Sequence, residues 1–299
     1  GFIGRRVVNK LLEAGHYVYG VDCLTYAADP KEIPFHPNMS FRSVTVQSLG
    51  RLPDVDTVIH LAASTHVDNS INEAKEFVEN NVMATQHLLD LIVAKRQHGM
   101  PHLIHISTDE VYGPIKFGKH TTLDPLNPSS PYSASKAAAD MLVQGYGRTY
   151  GVPYTIIRPT NCYGTGQYPE KLIPKTIRCL QLGRTVPIHG DGMQTRQWLN
   201  VEDCATAILG VAHQHDDFSN IVNVGGNTEA SVSAVVNAIC NEFKTKFQDK
   251  ADIGYERVGM DERYDVNDDE LRFVGWSPKG DLWKDIPKIV AFERGRFKF

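Results

Sequence analysis

The stretch GFIGRRVVNKLLEAGHYVYGVD, residues 1–22, decides the fold. Gly1 and Gly4 stand three apart at the head of residues 2–12, whose apolar side chains recur at helical spacing. The apolar run 17–21 then closes on Asp22. A glycine-headed helix followed by a strand that ends in an acid matches the tail of a dinucleotide fingerprint. Small residues let backbone N–H groups approach a pyrophosphate at a helix N-terminus, and the acid accepts from a ribose hydroxyl. For the two glycines alone, a helix-opening turn without a ligand is the simpler reading. Asp22, 18 residues beyond Gly4, turns the reading toward a nucleotide. Its charge opposes a 2′-phosphate, so NAD is expected rather than NADP. The strand and first glycine that open such a fingerprint do not precede Gly1, so the sequence is expected to be a fragment, with the neighbours of that strand unpaired.

The same rhythm continues beyond residue 22. Apolar runs at 57–62, 103–107, 154–157 and 221–224 alternate with helical patterns at 74–95, 132–150 and 201–212. Short, nearly uninterrupted apolar strands between helices predict an α/β fold, a Rossmann-type doubly wound parallel sheet covered on both faces. Ligands bind such sheets beyond the carboxyl ends of the strands. After about Asn161 the pattern loosens around a helical stretch at 172–182 and a strand near 186–188. Residues 1–160 are expected to form an NAD-binding domain. Residues 161–299 are expected to be mainly a smaller α/β substrate lobe, interwoven with the first because no long linker separates them.

Composition removes several classes of function. With 41% hydrophobic and 22% charged residues the chain has ordinary globular proportions, unlike a disordered or coiled-coil protein. Lys and Arg number 31 against 35 Asp and Glu, and the resulting charge of 31 − 35 = −4 speaks against nucleic acid as a partner. The apolar runs are too short to span a membrane. Cys23, Cys162, Cys179, Cys204 and Cys240 form no CxxC pair and have no histidines at metal-ligand spacing. No metal site is expected, and a reducing, cytoplasmic setting fits best.

Two clusters carry chemistry. Tyr132 and Lys136 stand four apart behind Ser130 and Pro131, a cap and a first-turn proline, so phenol and ammonium share one helix face. A lysine charge there is expected to lower the phenol pKa and make Tyr132 a base for an alcohol proton, the complement of hydride transfer. A surface Tyr–Lys pair is the bland alternative. Ser107-Thr108-Asp109-Glu110 follows the strand ending near residue 106, which puts two adjacent acids in the crevice where a ligand binds. Neighbouring carboxylates in a closed pocket do not both ionise freely, so one can stay protonated as an acid while the other acts as a base. A solvated acidic turn is the alternative to this reading.

These residues carry a family resemblance. GFIG (1–4), DCLTYA (22–27), HLAASTHVDNSI (60–71), STDEVYG (107–113), PYSASKAAAD (131–140), YPEKLIP (168–174), IHGDGMQTRQWLNVED (188–203) and DERY (261–264) resemble the extended short-chain dehydrogenase/reductases. Within them the chain is most similar to the NDP-glucose 4,6-dehydratases, lyases of nucleotide-sugar metabolism. STDEVYG discriminates best, because related epimerases normally lack the Asp-Glu pair. HVDNS, PEKLIP and PIHGDG resemble the plant-type UDP-glucose 4,6-dehydratases of rhamnose synthesis, with the dTDP-specific enzymes close behind.

The resemblance implies conversion of UDP- or dTDP-glucose to a 4-keto-6-deoxy sugar through bound NAD. Tyr132 would take the 4-hydroxyl proton, Glu110 the C5 proton, and Asp109 would protonate the departing 6-hydroxyl. Thr108 would sit by the 4-oxygen, and Lys136 would hold the ribose. Gly1, Phe2, Ile3, Gly4, Asp22, Cys23, Leu24, Thr25, Leu61, Ala62, Ala63, Ser64, Asn80, Tyr132, Lys136 and Cys162 would line NAD. Thr65, Asn161, Glu170, Lys171, Leu172, Pro187, Ile188, His189, Arg196, Asn223 and Arg257 would hold the sugar nucleotide, the arginines suiting its diphosphate. A homodimer through helices at 74–95 and 132–150 is also implied. The chain departs from the family at Thr45-Val46, which bears on the adenine contact, at Cys162, and at Asn200 and Met260, which bear on base and ribose recognition. A non-catalytic NAD-binding protein, or an epimerase or decarboxylase of the same family, are the competing readings.

Overall fold

The structure, a computed structural model, describes residues 1–255 and 261–296. Its strands in chain order are β1 (Val18–Asp22), β2 (Met39–Ser43), β3 (Thr57–His60), β4 (His102–Ile106), β5 (Tyr154–Pro159), β6 (Asn161–Tyr163), β7 (Val186–His189), β8 (Thr195–Asn200), β9 (Ile221–Val224), β10 (Thr228–Ser231), β11 (Ala251–Tyr255) and β12 (Arg263–Tyr264).

The parallel sheet comes in two pieces. β1 pairs with β2, and β3-β4-β5-β9 form a four-stranded parallel sheet. Among the described residues β1 pairs only with β2 and β3 only with β4. Side chains of successive strand residues point to opposite faces, and each face meets its own helices. Ile104, Ile106 and Ile157 pack with Val7 of the helix Phe2–Glu13 and with Cys204, Ile208 and Val211 of the helix Val201–His213. Leu103 and Ile156 pack with Leu88, Leu89 and Ile92 of the helix Ala84–Val93 and with Val143 of the helix Pro131–Tyr150. This is the doubly wound α/β arrangement.

β9 completes the four-stranded sheet from beyond residue 220, so the chain returns to its first sheet after entering the second lobe. There β8 is central, with β6 and β12 parallel to it and β10 antiparallel, while β7 pairs with β11. The core of this lobe joins Ile173 and Ile177, Val236 and Ile239, and Ile286 and Ile289 from three helices against Val186 and Ile188.

One expected helix is broken. The stretch 74–95 is a turn of α-helix at Ala74–Phe77, a π-helix at Val78–Met83, and an α-helix at Ala84–Val93. The wider π turn lets two adjacent amides, Asn80 and Asn81, both reach Ser64 beyond β3. Such insertions recur at functional sites.

Candidate active site

β4 ends at Ile106, and the chain leaves it extended through Thr108, which caps the short turn Asp109–Tyr112. The Thr108 hydroxyl accepts from the Glu110 N–H at 3.3 Å and donates to Asp109 Oδ1 at 3.2 Å. Across from this turn, Ser130 and Ser133 form a capping box that starts the helix Pro131–Tyr150. The Tyr132 N–H donates to Ser70 Oγ at 3.2 Å, and the phenyl ring meets Phe77 edge-on at 6.3 Å. Thr108 is near enough to the phenol to draw its pKa down. One turn on, Lys136 Nζ donates to the Ile106 carbonyl at 2.7 Å, tying the helix to the end of β4.

Burial sets the protonation states. Asp109 is 2% exposed, and burial, followed by the adjacent Glu110 charge, pushes its carboxyl up to about 7, against the pull of Arg196. Asp109 can therefore carry a proton into the neutral range. Burial brings Lys136 down to about 8, with Asp140 opposing. Tyr132 departs from the expectation that the lysine lowers its pKa. Burial, then Glu110, hold the phenol well above its usual range, and only the Thr108 hydrogen bond among its main influences opposes them. The physical reason is that desolvation penalises a phenolate, and the ammonium is spent on the Ile106 carbonyl.

The region expected to hold a dinucleotide is open at its glycines. A side chain built at Gly4 meets nothing within 4 Å outside its chain neighbours and its own helix backbone, so the first turn of the helix carrying Phe2 and Ile3 leaves room for a phosphate group. The Asp22 carboxylate at the end of β1 lies 3.2 Å from the Gly1 nitrogen and accepts the Leu24 N–H at 2.8 Å. Leu24 has φ +53, a left-handed conformation rare for leucine, which turns the loop carrying Cys23 and Thr25. Beyond β3, the loop carrying Leu61, Ala62 and Ala63 brings in Ser64, which is held by Asn81 and by the Asn80 amide at 3.0 Å from its hydroxyl. Asn161 Oδ1 is buried without a hydrogen-bond partner. Cys162 feels the Asp109 charge and in turn influences Tyr132, and a hydrogen bond with Cys204, then burial, push its thiol up, so it stays protonated. The open helix start and the acid at the end of β1 fit a dinucleotide, while the orphaned Asn161 amide belongs to the residues expected to hold the sugar nucleotide.

The residues expected to hold a sugar nucleotide are not all brought together. Lys171 Nζ donates to the Thr65 carbonyl at 2.9 Å, just before the helix Leu172–Gln181. Glu170 accepts the Tyr26 hydroxyl at 2.9 Å, and burial with this contact pushes Tyr26 up to about 12. His189 lies 3.6 Å from Asp68. Arg196 stacks its guanidinium over the Tyr264 ring at 4.8 Å and donates to the Thr195 and Asp261 carbonyls. Pro187 is half-buried in β7, whereas Ile188 is buried in the core of the second lobe. Asn223 is buried, its amide taken by the Tyr112 hydroxyl at 2.9 Å and the His120 carbonyl at 3.4 Å. Arg257 lies outside the described residues.

Sequence reading missed several neighbours. Tyr264, hydrogen-bonded to Asp261 and feeling the Glu110 charge, lies close to the acid pair. Asn81 donates to Ser135, and Ser70 accepts the Tyr132 N–H, joining the Tyr132 helix to helical segments 54 and 62 residues earlier. Beneath Lys136, Asp140 is clamped by Arg158 Nε and Nη2, both at 2.9 Å, with His105 Nε2 at 3.6 Å. Asp140 lies four residues after Lys136, a spacing that was a signal for a shared face. Arg158 and His105 gave none, because sheet pairing alone brings them there. A cavity of about 660 Å³ lined by Leu123, Ala138 and Met141 lies on the opposite side of this helix and outside the site.

A sheet with an acid at the end of β1, paired acids at the end of β4 and a Tyr–Lys helix defines a nucleotide-dependent redox protein. The chain belongs to the NAD dependent epimerase/dehydratase family, which matches residues 1–225, and NAD is its cofactor. It is 38% identical to the low-salt glycan biosynthesis protein Agl12 of Haloferax volcanii, over 99% of this chain and 96% of that one. It is 37% identical to the dTDP-glucose 4,6-dehydratase of Streptomyces griseus, over 98% and 91%. The crystal structure of DesIV, a dTDP-glucose 4,6-dehydratase of Streptomyces venezuelae with NAD bound, superposes with a TM-score of 0.92 at 33% identity, over 99% of this chain and 94% of that one. These relatives support an NAD-dependent nucleotide-sugar enzyme. Among the described residues, no helix is long and apolar enough to cross a membrane.

Proposed function

We propose that the protein is an NDP-glucose 4,6-dehydratase that converts dTDP- or UDP-glucose to the 4-keto-6-deoxy sugar. One observation carries this reading: buried Thr108, Asp109 and Tyr132 lie together beside the half-buried Glu110, with burial and the Glu110 charge raising the Asp109 carboxyl to about 7. Bound NAD supplies a reversible store for the hydride taken from C4 and returned to C6. Residues of the turn after β1, Ser64 and Asn80 would hold it, with Gly4 leaving room for its phosphates. In its phenolate form Tyr132 accepts the 4-hydroxyl proton as the ketone forms. The ketone acidifies C5–H, which Glu110 removes while Asp109 protonates the departing 6-hydroxyl. The proton on C5 is then restored as C6 receives its hydride.

Glu170, Lys171 and Arg196 would meet the sugar nucleotide at the edge of the second lobe. Exposed Val78, Met83 and Met141 on the two helical stretches support pairing of two copies there. The test is product analysis after incubating the NAD-loaded protein with dTDP-glucose and UDP-glucose in parallel. A 4-keto-6-deoxy product from either supports the reading, and the faster of the two identifies the base. Absence of that product from both refutes it, and a 4-epimer instead would assign the protein to the epimerases.

A further inference from the structure

Arg196 is half-buried on β8, and its charge acts on the Asp109 carboxyl of the acid pair. A guanidinium carries five N–H donors. Two are spent here, Nη1 on the Thr195 carbonyl at 2.7 Å and Nη2 on the Asp261 carbonyl at 3.2 Å. The flat face of the same group lies over the Tyr264 ring at 4.8 Å. A long, flexible side chain is thereby held in one plane before any anion arrives. No other described residue takes its remaining N–H groups.

Tyr264 and Asp261 are themselves held by a knot between the two lobes. β12 runs beside β8 with Tyr264 opposite Arg196. The hydroxyls of Tyr264 and Ser129 both donate to Oδ2 of Asp261, and the two hydroxyl oxygens are 3.3 Å apart. Asp261 and Tyr264 are buried, so water competes little for these bonds. Ser129 directly precedes Ser130, the cap of the Tyr132 helix. The same strip also bonds the stretch that follows the acid turn. The Ile115 N–H donates to the Arg263 carbonyl and the His120 N–H to the Asp265 carbonyl, each at 3.0 Å. Residues 261–265 therefore lie between Arg196 on one side and, on the other, the chain that joins the acids to Tyr132.

We propose that Tyr264 and Asp261 are positioning residues for a nucleoside diphosphate: the Tyr264 ring and the Asp261 carbonyl fix the Arg196 guanidinium in the orientation that receives the ligand, and the knot with Ser129 fixes that guanidinium relative to Tyr132. Both residues act through Arg196. A diphosphate is the fitting ligand because a planar guanidinium with paired N–H groups grips two oxygens at once. The inference rests on the reading of Arg196 as a sugar-nucleotide residue and needs none of the dehydration steps.

The test is a double-mutant cycle on binding. Calorimetric titration of the NAD-loaded protein with dTDP and with UDP gives Kd for wild type, Tyr264→Phe, Tyr264→Leu, Arg196→Ala and the double variant Arg196→Ala with Tyr264→Leu. Phenylalanine keeps the ring under the guanidinium and loses only the bond to Asp261, whereas leucine loses both. Kd is expected to rise about threefold in Tyr264→Phe and about tenfold or more in Tyr264→Leu. In the Arg196→Ala background Tyr264→Leu should add less than about twofold, because no guanidinium is left to misplace. With the whole sugar nucleotide, Tyr264→Leu should raise KM by a factor similar to that for Kd and lower kcat by less than about threefold. Thermal melting and NAD retention check that each variant is folded, and should Tyr264→Leu fail to fold, Tyr264→Met completes the same cycle. An equal loss with and without Arg196 overturns the inference, as does an unchanged Kd in Tyr264→Leu or a wild type that binds neither nucleotide. Wild type that binds dTDP or UDP yet makes no 4-keto-6-deoxy product sinks the dehydratase reading, while the cycle still decides the role of Tyr264.

Discussion

Replacing Asp109 with asparagine is expected to stabilise the fold, and to do so only where the carboxylate is otherwise forced to ionise. The side chain is almost wholly buried, and burial together with Glu110 lifts its carboxyl from 3.8 to about 7. A folded-state pKa above the unfolded one means that the native protein binds the proton more tightly. Stability is therefore undiminished only well below the unfolded pKa of 3.8 and is lost as pH rises from there toward 7. At about 1.4 kcal/mol per decade, the linked loss is about 0.6 kcal/mol at pH 4 and about 4 kcal/mol at pH 8, as an order of magnitude. Asparagine keeps the shape and an oxygen that can accept from Thr108, but it has no charge to bury. Guanidinium unfolding of wild type and Asp109→Asn at both pH values measures the difference. The Asp109→Asn gain should be several kcal/mol larger at pH 8 than at pH 4. An increment that is the same at both, or a less stable variant at pH 8, refutes the burial argument. Activity should move the opposite way, with the variant losing the acid that expels the 6-hydroxyl.

Three further outcomes are expected. Arg158→Met leaves Asp140 buried without its cation and should cost about 3–5 kcal/mol in chemical unfolding, whereas the double variant with Asp140→Asn should recover most of that loss. Tyr132→Phe removes the group that takes the 4-hydroxyl proton, and product formation from dTDP- or UDP-glucose should fall by about 10²–10⁴ with NAD retention unchanged. Tyr26→Phe cuts the tie between the turn after β1 and Glu170, and steady-state kinetics should show KM for the sugar nucleotide rising a few-fold with kcat little altered.

Features with a short period were readable without coordinates. The helix beginning at Gly1, the strand ending in Asp22, the acids at the end of β4 and the four-residue step from Tyr132 to Lys136 all depend on neighbours within about one turn or one strand, and spacing alone reveals those. The elements after β9, including β10 to β12 and the helix Leu282–Arg296, carry weak or mixed patterns because they pack on several partners at once. The π-helix at Val78–Met83 was invisible because its stretch reads as ordinary helical spacing. Its reason lies in Ser64, which it must reach across the site with two adjacent amides.

From the order of residues alone, then, came which groups are present, on which face of which element, and hence the class of chemistry. Tertiary structure alone decided their ionisation and their mutual reach. It put Asp109 in the dark beside Glu110, turned the Lys136 ammonium onto the Ile106 carbonyl, raised the phenol it was expected to lower, and committed Asn223 to Tyr112. Desolvation and long-range hydrogen bonds depend on what lies opposite in space, and that is set by how strands pair and helices pack over separations of tens to more than a hundred residues.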